Sequence, residues 1–131
     1  FMIAFQTQTF GKWILAGEHS VLRGYPALAF PLLNRSLQLS YQPGSSSLAV
    51  EFLGEHGKEM NLLFYGVIEN AVSRLKIREP LTGKFVLTSA LPVGAGLGAS
   101  AALCGAVSRW CQAQQWIAQD KVYEFARDLE D

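Results

Sequence analysis

"LPVGAGLGASAAL", residues 91–103, sets Gly94, Gly96 and Gly98 within five positions and runs straight into small residues. Glycine is used where backbone must turn sharply or come close to something else. Upstream, "KFVLTSAL" (84–91) reads as a strand. Downstream, a long helix is expected from about Ala99 to Ile117. Strand, glycine loop, helix is an arrangement that offers phosphate a site. The first N–H groups of a helix have no internal partners and sit at the positive end of its dipole. Glycines let a phosphate touch the backbone, and Ala99, Ala101 and Ala102 keep the first helical turn slim. Ser100 adds one hydroxyl there, suited to a phosphate oxygen or to Mg²⁺.

Three readings of the stretch compete on pattern alone. A Walker-type loop ends in Gly-Lys-Ser/Thr, but Gly98 is followed by Ala99 and Ser100, so that motif fails. The dinucleotide pattern G-x-G-x-x-G/A matches Gly94, Gly96 and Ala99. It also needs a second strand ending in an acid about 20 residues on, where this chain reads as helix. The third reading is a tight turn with close helix packing and no ligand.

Working outward, residues 2–9 alternate loosely and read as a strand, and "KWILAG" as a second, stopped by Gly17. "SLQLSYQ" (36–42) alternates well. "PGSSS" reads as a turn and "LAVEFLG" as its hairpin partner. From Asn61, taken as an N-cap, "LLFYGVIENAVSRLKI" sets Leu62, Tyr65, Ile68, Val72 and Leu75 on one helical stripe. "EPLTG" ends that helix. Asp120 can cap a last helix, "KVYEFARDLED". Strands come first and a helix pair last, so the expected class is α+β with a mixed or antiparallel sheet.

Half of the 131 residues are hydrophobic and 17% charged, which fits a folded domain and not a disordered chain. Eleven basic residues balance eleven acidic ones, a poor profile for a nucleic-acid binder. No apolar run approaches the roughly 20 residues of a membrane helix. The first residues show no secretory pattern. Cys104 and Cys111 lie on one helical face about 10 Å apart along the axis, too far for a disulfide. Both are expected to stay reduced, as in a cytoplasmic protein. Phe1 precedes Met2, which is read as the native start. The last residues carry no helix stop signal, so a longer protein is expected.

A second constellation is "GKWILAGEHSVLRGYPALAFPL", residues 11–32. Lys12 could carry phosphate charge, and Glu18 and His19 could bind a polar substrate. The bland alternatives are a solvated lysine and a hydrogen-bonded turn.

Together the two stretches resemble the N-terminal motifs of the GHMP kinases. The phosphate loop of that family has the form P-x-G-A-G-L-G-S-S-A-A. Pro92, Gly94, Ala95, Gly96, Leu97, Gly98, Ser100, Ala101 and Ala102 stand where it wants them. The first motif is most similar to the mevalonate kinase branch, A-P-G-K-x-I-L-x-G-E-H-x-V-x-x-G-x-P-A-L-A. Gly11, Lys12, Ile14, Leu15, Gly17, Glu18, His19, Val21, Gly24, Pro26, Ala27, Leu28 and Ala29 match it. Departures are Ala99 for the first loop serine and Thr9-Phe10 for Ala-Pro.

The resemblance implies a fold: a GHMP kinase N-terminal ATP-binding domain over residues 1–131, α+β, of the ribosomal protein S5 domain 2-like type. It also implies a chemistry, transfer of the γ-phosphoryl group of ATP to the hydroxyl of a small molecule, mevalonate or a related alcohol, with Mg²⁺ as cofactor. By position, Pro92, Gly94, Ala95, Gly96, Leu97, Gly98, Ala99, Ser100 and Ala101 would cradle the triphosphate. Ser100 and Glu130 would ligate the metal, Lys12 would be catalytic, and Glu18 and His19 would hold the substrate. The family's catalytic aspartate and its C-terminal domain fall outside these residues, so the 131 residues alone are expected to be inactive. They are expected to expose an apolar surface that invites a homodimer. No nucleic acid or membrane partner is implied. The alternatives are a phosphomevalonate or sugar kinase of the same family, or an inactive nucleotide-binding domain.

Overall fold

The computed structural model describes residues 2–10, 36–91 and 98–130. Among them are four strands, β1 (Phe5–Phe10), β2 (Ser36–Ser47), β3 (Ala49–Leu53) and β4 (Thr82–Ser89), and three α-helices, α1 (Asn61–Arg74), α2 (Ala99–Ala113) and α3 (Val122–Glu130). The expected strand "KWILAG" lies outside the described residues. The strands form one mixed sheet in the order β1-β2-β4-β3. β1 pairs antiparallel with β2, β2 antiparallel with β4, and β3 parallel with β4.

Period-two alternation explains which face is covered. Leu37, Leu39 and Tyr41 of β2 and Phe85, Leu87 and Ser89 of β4 are buried, in register with the inward Thr9, Val50 and Phe52 of the outer strands. The intervening Gln6, Gln8, Gln38, Lys84 and Glu51 are exposed. Helices therefore pack on one face. The core centres on Phe85, whose ring lies 4.8 Å from Tyr41, 4.9 Å from Trp110 and 5.2 Å from Phe64. These edge and tilted geometries suit ring quadrupoles.

The expected hairpin of β2 and β3 does not form. β4 lies between them, and β2 shifts register from Gln42, opposite Lys84, to Ser47, opposite Thr82. The segment "PGSSS" is the irregularity that lets β2 swing past the start of β4. Gly83 makes the passage possible. Its φ is +100°, and a Cβ there would stand 2.5 Å from the Gln42 carbonyl oxygen and 2.7 Å from the Tyr41 hydroxyl. That hydroxyl donates to the Thr82 carbonyl at 2.6 Å.

Helix α1 buries Phe64, Val67, Ile68 and Ala71; of the expected stripe Ile68 is buried and Val72 and Leu75 pack against the core, while Leu62 and Tyr65 at its start are exposed. Leu62 is 87% exposed. The 3₁₀ turn Lys58–Met60 runs directly into α1, so Asn61 is the first helical residue and makes no side-chain cap. This turn buries Met60 and rotates Phe64, not Leu62, into the core. At its far end Lys76 takes φ +56°, with Lys76 N–H bonded to the Ser73 carbonyl and Ile77 N–H to the Val72 carbonyl, the crossed pair that closes a helix.

Helix α2 is buried along most of its length and packs on β1, β2, α1 and α3. It stops at Ala113, short of the expected Ile117. Gln115 turns left-handed (φ +66°), and Gln115 and Trp116 N–H groups close the same crossed pair on Gln112 and Cys111. Asp120 sits in a 3₁₀ turn, Gln119–Lys121, preceding α3 and makes no cap; the N-cap of that turn is Ala118.

The buried polar side chains act as ties. Gln114 closes a two-bond ring with the Ile3 main chain, at 2.8 and 2.9 Å. The Ser108 hydroxyl donates to the Val122 carbonyl at 2.7 Å. The Thr9 hydroxyl donates to the Ala102 carbonyl at 2.8 Å. Each joins α2 to a different piece of backbone.

Candidate active site

The site grows from the exit of β4. Ser89 is fully buried, and its hydroxyl accepts from Leu91 N–H at 3.0 Å and lies 3.2 Å from the Leu91 carbonyl. This local bond turns the chain out of the sheet. The Ser89 carbonyl accepts the His56 N–H at 3.0 Å. Gly54, at φ +88°, packs so closely that a Cβ would meet the Ser89 carbonyl oxygen at 2.7 Å and nitrogen at 2.9 Å. The "EHGKE" connection thus buttresses the root of the glycine stretch. The His56 Nδ1 is in turn held by the Glu59 carboxylate.

Residues 92–97 lie outside the described residues, and with them the expected cradle residues Pro92, Gly94, Ala95, Gly96 and Leu97. The description resumes at Gly98, which precedes α2 with φ +85° and ψ +23°. This left-handed conformation is open to glycine at little steric cost. The first intrahelical bond runs from Ala102 N–H to the Gly98 carbonyl at 2.9 Å. The N–H groups before it have no helical acceptor. No side chain caps them, and no acid sits in the first turn. Ala99, Ala101 and Ala102 are buried and Ser100 is exposed. Among the described residues, the first turn therefore carries N–H groups that no side chain caps and one exposed hydroxyl.

Glu130, the last residue of α3, is exposed. Its relation to Ser100 is reported by Cys104, one turn further along α2 and fully buried. Burial pushes the Cys104 thiol up to about 12, and the nearby Glu130 carboxylate adds to the rise. A hydrogen bond from the Ser100 side chain works against it. Both expected metal ligands thus act on the same thiol. α3, which carries Glu130, packs on α2, which carries Ser100.

A serine hydroxyl and a carboxylate are hard oxygen donors, the kind Mg²⁺ prefers. That ion commonly takes one or two protein oxygens and completes its shell with water and phosphate. No group of three or more His, Cys, Asp or Glu side chains able to hold a metal exists among the described residues. The donor set fits a cation shared with a phosphate better than a cation caged by protein. Lys12, Glu18 and His19 lie outside the described residues. Sequence reading missed the buried hydroxyls of Thr9 and Ser89; their signal was a hydroxyl at an inward strand position beside a glycine-rich motif.

The fold and the site define a recognisable class. Residues 63–131 match the model of the GHMP kinases N terminal domain, and the chain belongs to the GHMP kinase family. It is 32% identical over 124 residues to a mevalonate kinase of Thermococcus onnurineus and 33% identical over 123 residues to one of Pyrococcus abyssi. Each match takes in 75% of this chain and 36% of the relative, so the chain spans just over a third of the relatives' length. The mevalonate kinase from methicillin-resistant Staphylococcus aureus shares its fold, with a TM-score of 0.54 at 20% identity, over 74% of this chain and 34% of that one. No helix among the described residues is long and apolar enough to cross a membrane.

Proposed function

We propose that these residues form the N-terminal ATP-binding part of a kinase that moves the γ-phosphoryl group of ATP to a hydroxyl of mevalonate. The observation that carries this reading is the first turn of α2. A left-handed Gly98 opens it, no side chain among the described residues caps it, and Ser100 is exposed on it; Ser100 and Glu130 both act on the Cys104 thiol. The kinship with mevalonate kinases supports the choice of substrate.

Phosphoryl transfer needs charge neutralisation and alignment more than covalent chemistry. The backbone from Gly94 to Ala101 cradles the phosphates. Ser100 and Glu130 hold Mg²⁺, which when bound offsets phosphate charge. Lys12 stabilises the charge developing on the transferred group. Glu18 and His19 hold and orient the alcohol. The two buried thiols suit a reducing, cytoplasmic compartment.

The test is turnover by the full-length protein with MgATP and mevalonate, phosphomevalonate or galactose, side by side. Preference for mevalonate is expected. Preference for either of the others would overturn the substrate assignment. ATP binding without transfer to any of them would leave a nucleotide-binding domain.

A further inference from the structure

We infer that Thr9 is a positioning residue for the phosphate cradle, and that its buried hydroxyl fixes the first turn of α2, and with it Ser100, against the sheet. The inference rests on the function proposed above. Thr9 is fully buried, at an inward position of β1 opposite Leu37. Its hydroxyl donates to the Ala102 carbonyl at 2.8 Å. The Ala102 N–H is bonded to the Gly98 carbonyl at 2.9 Å. Two bonds therefore meet at Ala102: its carbonyl is tied to β1, and its N–H to the left-handed glycine that starts the helix.

The elements around this tie are otherwise smooth. Ala99, Ala101 and Ala102 are the side chains α2 presents near it, and all are buried. Methyl groups pack but do not specify a helix's position along its own axis, because a small slide leaves much the same contact area. A hydrogen bond does specify it, since it weakens steeply once distance or angle is lost. The other buried ties of α2, at Ser108 and Gln114, act two and three turns further on. Thr9 alone of the buried polar side chains described here reaches the turn that carries Ser100. Metal ligation by Ser100 tolerates little misplacement, because Mg²⁺ demands near-ideal geometry.

The experiment is a double-substitution cycle in the full-length protein, read by calorimetric titration with MgATP and by thermal melting. Thr9→Val keeps the branched volume and removes the donor. It is expected to weaken MgATP binding roughly three- to tenfold, the range of one lost hydrogen bond. Thr9→Ser is expected to restore it. Ser100→Ala is expected to weaken MgATP binding by itself, and adding Thr9→Val is expected to weaken it no further. A lower melting temperature with unchanged affinity, or equal losses in both backgrounds, would overturn the role of Thr9 alone. A wild-type protein that takes up no MgATP, or one whose affinity Ser100→Ala leaves untouched, would overturn the functional reading and this inference with it.

Discussion

Alanine at two glycines of this fold should act with opposite signs. At Gly54 the backbone is left-handed, at φ +88°, which costs an L-residue about 1–2 kcal/mol. A Cβ there would also stand 2.7 Å from the Ser89 carbonyl oxygen and 2.9 Å from its nitrogen. Both are main-chain atoms, and one is already engaged by the His56 N–H. They can yield only by moving the end of β4, an overpacking cost of about 1–3 kcal/mol. Gly54→Ala should therefore destabilise by about 2–5 kcal/mol. At Gly66, within α1, a Cβ would meet nothing within 4 Å. Gly66→Ala should stabilise by about 0.5–1 kcal/mol, by restricting the unfolded chain and favouring helix. Unfolding entropy scaled to 131 residues makes each kcal/mol worth roughly 4 °C. Melting followed by circular dichroism should thus fall by roughly 8–20 °C for the first variant and rise by roughly 2–4 °C for the second. Because Gly54 bears on Ser89, the first variant should also bind MgATP more weakly at temperatures where it is folded. A loss below about 1 kcal/mol at Gly54 would show that the contact with Ser89 is not rigid, and a loss at Gly66 would show that its place in α1 is not open.

Other expectations follow from burial and charge. Phe64→Ala, fully buried among Phe52, Tyr65 and Phe85, should cost about 3–5 kcal/mol in urea denaturation. Leu62→Ala, two residues away and exposed, should stay within about 0.5 kcal/mol; equal costs would restore the stripe read from the sequence. Burial holds both Cys104 and Cys111 at about 12, against 9.0 for an ordinary thiol. Their contribution is whole below pH 9 and is lost as pH climbs from there towards 12, because the unfolded thiols ionise first. At pH 10 each should have given up on the order of 1 kcal/mol. A Cys104→Ala/Cys111→Ala pair should therefore lose less stability than wild type between pH 7 and pH 10, and parallel losses would contradict this. Lys12→Ala in the full-length protein should slow phosphoryl transfer by about 10²–10³-fold. An unchanged rate would remove Lys12 from the mechanism.

Local pattern disclosed the elements better than their partners. The alternation in "SLQLSYQ" and "KFVLTSAL" marks β2 and β4, and the run of small residues after Gly98 marks α2. Each signal lies within a few residues. The pairing of β3 was illegible for the opposite reason. "PGSSS" between two alternating runs has the composition of a hairpin turn, and only β4, thirty residues on, decides that the gap must hold a third strand. The face of α1 was misread because the 3₁₀ turn before it sets its rotation, and Asn61 looks like a cap whether or not it makes one. At the site, Ser100 was legible as the one hydroxyl in the first turn of a helix behind a glycine loop. The approach of Glu130 to Cys104 depends on how α3 lies on α2, which no spacing encodes. Thr9 and Ser89 look like ordinary strand residues until burial leaves their hydroxyls only backbone partners, the Ala102 carbonyl and the Leu91 main chain.

The central place of β4 also governs the order in which the chain can assemble. During synthesis, β1, β2 and β3 leave the ribosome before the strand that both β2 and β3 must pair with. Until residue 89 emerges, β2 and β3 are neighbours in sequence that must not become neighbours in the sheet. A direct hairpin between them is the obvious kinetic trap, and loop closure favours it because it is local. The irregular segment in β2 from Gln42 to Ser47 is then more than an accommodation of the finished fold. It interrupts the even alternation a local hairpin would need, and so disfavours early pairing of β2 with β3 over the later pairing of each with β4.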